Sequence, residues 1–131
     1  MRLSAVTLLV PDYDTGIAFY VGKLGFMLKE DVAQDGKRWV RLQPEGGGTS
    51  FILAEPRGAR QTAALGEQGG GRVWLFLETG NFQRDHTRLM AAGVTFEETP
   101  RTEPYGKVAV FRDPFGNRWD LIEYASSPDP A

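Results

Sequence analysis

The side chains able to do chemistry are few, and what is missing narrows the field first. The 131-residue chain has no cysteine and one histidine, His86. Thiol nucleophiles, disulfides, iron–sulfur clusters and cysteine-based zinc sites are therefore excluded, as are metal sites built from two or three histidines of one chain. His86 follows Phe82 by four residues and precedes Leu89 by three, which puts it on or beside the apolar face of a helix. A histidine there reads as a packed residue, and with no nucleophile beside it no triad can be assembled. The glycine triples at 46–48 and 69–71 read as turns, because neither lies between a strand and a helix with a lysine set for phosphates. What remains is carboxylate, guanidinium and aromatic. Arg118 and Asp120 are two residues apart, Arg72 alternates with Trp74 and Phe76, and Trp39 alternates with Arg41. Phe51 and the polar stretch 101–106, with Arg101, Glu103 and Tyr105, complete the set. Such groups suit hydrogen bonding and stacking against a small organic molecule.

Composition sets outer limits. Hydrophobic residues make up 41% and charged residues 24%, as in a globular domain. A net charge of −2 lacks the basic face that sequence-independent nucleic-acid binding needs. No apolar run approaches the roughly 20 residues of a membrane span. The opening Met1-Arg2-Leu3-Ser4 leads straight into a strand-like run, without the apolar core of a signal peptide. The expectation is a cytoplasmic protein.

The elements that must position these residues follow from periodicity. Residues 3–10 are rich in Val, Leu and Thr and read as a strand stopped by Pro11-Asp12. Asp12 or Asp14 is placed to cap a helix, on which Ile17, Tyr20, Val21 and Leu24 recur at helical spacing until Gly25. Residues 26–32 and 38–42 form strands around the turn signal Gln34-Asp35-Gly36-Lys37, and 49–54 is another strand. Residues 56–71 read as a linker holding one short helix near 61–65. Then the order restarts. Residues 72–77 read as a strand, and a helix begins after Asn81, carries Phe82, Leu89 and Met90, and ends at Gly93. Strands follow at 94–99, 107–112 and 118–124, with Asp113-Pro114-Phe115-Gly116-Asn117 as the last turn. The tail at 126–131, with two prolines, is expected to fray.

The chain therefore reads as βαβββ, linker, βαβββ, with modules at 1–55 and 72–125 within a single domain. Val6-Thr7-Leu8-Leu9 overlays Val73-Trp74-Leu75-Phe76 at an offset of 67, and Leu24-Gly25-Phe26 overlays Ala92-Gly93-Val94 at 68. Gly48-Thr49 overlays Asn117-Arg118 at 69. Each module alone is one sheet with a helix on one face, so the other face needs a cover.

The stretches Val6-Thr7-Leu8-Leu9-Val10-Pro11-Asp12-Tyr13-Asp14, Ala18-Phe19-Tyr20 and Leu24-Gly25-Phe26 resemble the opening of vicinal oxygen chelate proteins. This superfamily holds glyoxalase I, extradiol dioxygenases, fosfomycin-resistance enzymes and bleomycin-binding proteins. Gly106-Lys107-Val108-Ala109-Val110-Phe111 and Asp113-Pro114-Phe115-Gly116-Asn117-Arg118-Trp119-Asp120-Leu121 resemble its second half. The resemblance implies an α+β fold in which two βαβββ modules form a curved mixed sheet around a cleft, and it implies a homodimer. In metal-dependent relatives one metal sits in the cleft, held from four equivalent places. Here those places fall on Ala5, Phe51, Arg72 and Asp120, of which only Asp120 can coordinate.

Carried onto the strands, the resemblance turns Trp39, Phe51, Arg72, Trp74, Phe76, Arg118 and Asp120 toward the cleft, with Tyr105 at its rim. Arg72 and Asp120 then read as an ion pair where the metal would be. The expectation is a metal-free protein, without cofactor, that binds a small organic molecule in an aromatic-lined cleft. The alternative is a metal-dependent lyase, isomerase or dioxygenase with a degenerate metal site. Membrane and nucleic acid are not expected partners.

Overall fold

The computed structural model describes residues 1–126; the expected frayed tail therefore lies outside the described residues except for Ser126. Two compact units divide the chain, Met1–Gly66 and Glu67–Ala131. The boundary falls inside the expected linker, so its helix belongs to the first unit and its glycine triple to the second.

The first unit runs β1 (Ala5–Leu9), α1 (Tyr13–Tyr20), β2 (Met27–Gln34), β3 (Lys37–Gln43), β4 (Ser50–Ala54) and α2 (Gly58–Ala64). Its sheet has the order β1-β4-β3-β2, with β1 parallel to β4 and the other pairs antiparallel. Asp12 is the cap of α1: one carboxylate oxygen accepts from the Thr15 amide at 2.8 Å and the other from the Thr15 hydroxyl at 2.7 Å. The helix lays Gly16, Phe19 and Tyr20 on the sheet. A methyl at Gly16 would stand 2.7 Å from Val10, so glycine here sets how closely helix and strand approach. Asp35 (φ 49°) and Gly36 (φ 74°) make the two-residue hairpin between β2 and β3, in the backbone geometry that Asp-Gly favours.

The second unit runs β5 (Val73–Glu78), α3 (Phe82–Ala91), β6 (Thr95–Phe96), β7 (Arg101–Glu103), β8 (Gly106–Arg112) and β9 (Arg118–Tyr124). The order β5-β9-β8-β6, with β5 parallel to β9, repeats that of the first sheet, and β7 also pairs with β8. Of the strand expected at 94–99 only β6 forms, and β7 falls in the stretch 101–106 that was expected to be a polar rim. Between them the Glu98 carboxylate accepts from the Val110 amide at 3.1 Å, doing what a strand carbonyl would otherwise do. Pro100, which has no amide to donate, stands in the gap.

Aromatic rings form the core under α3. Phe82 stacks on His86 at 5.4 Å, His86 meets Phe96 edge-on at 4.5 Å, and Phe96, Phe111 and Trp119 continue the series at 5.6 and 5.9 Å. His86 is therefore a packed ring, as its spacing indicated. The last turn is closed by buried Asp113, whose Oδ1 accepts from the amides of Phe115, Gly116 and Asn117 at 2.9–3.0 Å. Its Oδ2 accepts from the Asn117 side chain at 2.8 Å.

Candidate functional site

Each sheet has one face under a helix and one turned away from it, and register decides which side chains lie where. In the first unit Phe51 pairs with Val6 and Leu42. Its ring stacks on Phe26 at 5.8 Å, and Phe26 in turn contacts Tyr20 of α1 at 5.6 Å. Phe51 is thus core beneath the helix, not part of the face that carries Ala5. Ala5, Thr7 and Leu9 share their face with Ser50, Ile52 and Ala54. The offset of 69 was one residue too long at this strand, and Ile52 stands where Phe51 was expected. The slip brings no new ligand, since isoleucine offers no lone pair.

Trp39 and Arg41 lie on the same helix-free face, since Arg41 pairs with Ile52. The Arg41 guanidinium sits 5.8 Å from the Trp39 ring centre and bonds Glu30 at 2.6 Å. Arg41 and a hydrogen bond from the Trp39 indole hold the Glu30 carboxyl below its ordinary pKa. The indole is anchored at its nitrogen, yet Trp39 remains 44% exposed.

In the second unit a bulge between Val73 and Leu75 breaks the alternation on which the expectation for β5 rested. Trp74 occupies the bulge, and its ring meets Trp119 edge-on at 6.2 Å, on the helix side. Arg72 precedes the strand in a turn closed by its amide on the Gly69 carbonyl, and it is exposed. Among the described residues no ion pair joins Arg72 to Asp120. Phe76 does fall beside Asp120, its register partner, and is 62% exposed.

Asp120 and Arg118 share the helix-free face with Val110 and Arg112 of β8. Arg118 pairs with Glu97 at 2.8 Å and reaches the Gly71 carbonyl at 3.0 Å, and Arg112 bonds the same Glu97 at 2.9 Å. These arginines hold the Glu97 carboxyl below its ordinary range. Arg101 bonds Glu98 at 3.0 Å and Glu103 at 2.8 Å, with the Tyr105 side chain adding to its hold. Asp120 is buried, its Oδ1 has no hydrogen-bond partner, and burial pushes its pKa up.

The sequence reading missed Glu97 and Glu98, and it missed the capping role of Glu123. Glu123 turns to α3 and accepts from the Phe82 amide at 2.6 Å, satisfying an open donor of the helix start. A capping carboxylate 41 residues away in sequence leaves no local signal.

The four places at which a metal would be held carry one carboxylate among alanine, a hydrocarbon side chain and arginine. That donor set does not fit a divalent cation. Among the described residues, no group of three or more histidine, aspartate or glutamate side chains is gathered to hold one.

A family model described as "Glyoxalase/Bleomycin resistance protein/Dioxygenase superfamily" matches residues 2–121. A protein of Shewanella frigidimarina with no assigned function is 46% identical over 121 residues, 90% of each chain. Among solved structures, UcmS2 is 34% identical with a TM-score of 0.80, covering 93% of this chain and 97% of its own. TnmS3 of Streptomyces sp. CB03234, described as an antibiotic binding protein, is 28% identical with a TM-score of 0.78, covering 95% and 97%.

Proposed function

The chain belongs to the glyoxalase/bleomycin resistance protein/dioxygenase superfamily, and we propose that within it this protein is a metal-free binder of a small organic molecule. The observation that carries the reading is the pair of helix-free sheet faces. Each holds a well-exposed aromatic ring, Trp39 in one unit and Phe76 in the other, beside a charged group. Exposed rings fixed on strands offer stacking surface at little cost in conformational entropy. Arg72, Tyr105, Arg118 and Asp120 supply the polar contacts. The antibiotic-binding relative TnmS3 supports the same assignment. The donor set argues against the metal-dependent lyase, isomerase or dioxygenase alternative, since Asp120 alone cannot fix a divalent cation.

The superfamily resemblance adds a homodimer to the proposal. Native mass spectrometry on tag-free protein, purified without chelator, tests all of it in one spectrum. The expected result is a dimer mass with no stoichiometric metal and an added organic mass. A stoichiometric metal overturns the metal-free reading.

A further inference from the structure

Among the described residues, one buried side-chain polar atom has no hydrogen-bond partner, Oδ1 of Asp120. The residue is 9% exposed and stands in the sheet between Phe76 of β5 and Val110 of β8. An unpartnered buried acceptor is destabilising, and an ionised one more so. The protein has the means to satisfy it close by, for Arg101 and Arg118 are the cations whose fields reach Asp120. Both are committed elsewhere. Arg101 is held by Glu98 and Glu103, and Arg118 by Glu97 and the Gly71 carbonyl. Arg112, the third guanidinium on this face, is bound to Glu97.

The local charge count sharpens the point. Three arginines, 101, 112 and 118, face four carboxylates, at 97, 98, 103 and 120. Glu97, Glu98 and Glu103 each accept from at least one arginine, which leaves Asp120 as the carboxylate of this group with no ion pair among the described residues. Beside it the Phe76 ring is 62% exposed. A buried acceptor short of one positive charge, next to an exposed ring, is half of a recognition site. The complementary half is a donor that carries positive charge on an apolar or aromatic body.

We infer that Asp120 is the specificity-determining residue of the binding site and that the ligand is a basic organic molecule whose protonated amine bonds to the Asp120 carboxylate. This rests on the small-molecule reading above and narrows it. Glu78 and Ile122 pair farther along the same face and bring no cation, so the ligand is the source of the missing charge.

A matched pair of probes tests the inference on the full chain: 2-naphthylmethylamine and 2-naphthylmethanol, alike in aromatic body and different in charge. Binding is read by tryptophan fluorescence and by the shift in Tm, at pH 7. The amine is expected to bind wild-type protein at least about tenfold more tightly than the alcohol. Asp120→Asn is expected to erase that preference while its ligand-free Tm equals or exceeds the wild-type value, because a binding carboxylate is held at a cost to stability. Equal binding of both probes by the wild type overturns the amine assignment and leaves the small-molecule reading standing. Binding of neither probe overturns the assignment, and if native mass spectra also lack any organic mass the broader reading falls with it. A ligand-free Tm several degrees below wild type in both Asp120→Asn and Asp120→Leu makes Asp120 a structural residue and overturns the inference.

Discussion

Asp113 and Asp120 show how little a residue's type says about its role. Both are buried aspartates of the second unit, seven positions apart. Asp113 receives three backbone amides and a side-chain amide, so its carboxylate is fully used in closing a turn. Asp113→Ala is expected to lower stability by about 3 kcal/mol in urea denaturation, because four donors lose their acceptor. Asp120 has an unused oxygen, and its folded pKa is raised. A raised carboxyl pKa contributes stability that is present below the unfolded value of 3.8 and lost as the pH climbs through the folded value. Glu97 is the opposite case, held low by Arg118 and Arg112. Its contribution is present above the ordinary value of 4.5 and lost as the pH falls through its depressed pKa. Glu97→Gln should therefore lower Tm at pH 7 and change it little near pH 2, and an equal loss at both would show that charge is not what Glu97 supplies. Phe76→Ala should leave Tm nearly unchanged, since the ring is largely exposed, and weaken naphthylmethylamine binding by about tenfold, the worth of one aromatic stacking contact. Unchanged affinity would remove Phe76 from the site.

At the scale of elements, the second sheet departs from the first where its chain is interrupted. The second strand of the second module is interrupted at Glu97–Pro100, and Glu98 bridges the gap to Val110. That interruption is what brings Glu98 and Arg101 within electrostatic reach of Asp120. The turn from β7 to β8 depends on Gly106 (φ 152°), where a methyl group would clash with the Glu123 carbonyl of β9. Gly106→Ala should cost about 3 kcal/mol, through strained backbone and a forced shift of the strand pair. A loss below about 0.5 kcal/mol would mean that β8 and β9 adjust freely there. In the first sheet all residues of edge strand β2 are exposed, including Met27, Leu28 and Val32. Lys29, Glu30 and Asp31 place charge along that edge, with Arg38 gripping Asp31 through two 2.8 Å bonds. Charge on an open edge discourages unspecific strand pairing.

At the scale of the whole molecule the two units repeat one topology, and each brings a helix-free face with an exposed ring. No described helix is long and apolar enough to cross a membrane. Treatment with a chelator should change neither Tm nor probe affinity, and a drop in either would reinstate a metal. The sequence by itself determined the order βαβββ twice over, the cap Asn81, the Asp35-Gly36 hairpin, the packed His86 and the superfamily, because short-range periodicity, turn chemistry and motif spacing are local properties of the chain. The tertiary structure decided which face each side chain occupies. The bulge at Trp74 and the one-residue slip at Phe51 each reverse a face, and a period of two leaves no tolerance for a miscount. It also decided how the charges pair. Arg118 goes to Glu97, 21 residues away, and Asp120 has no ion pair among the described residues, because ion pairs are settled by what register and turns bring within reach and not by proximity along the chain.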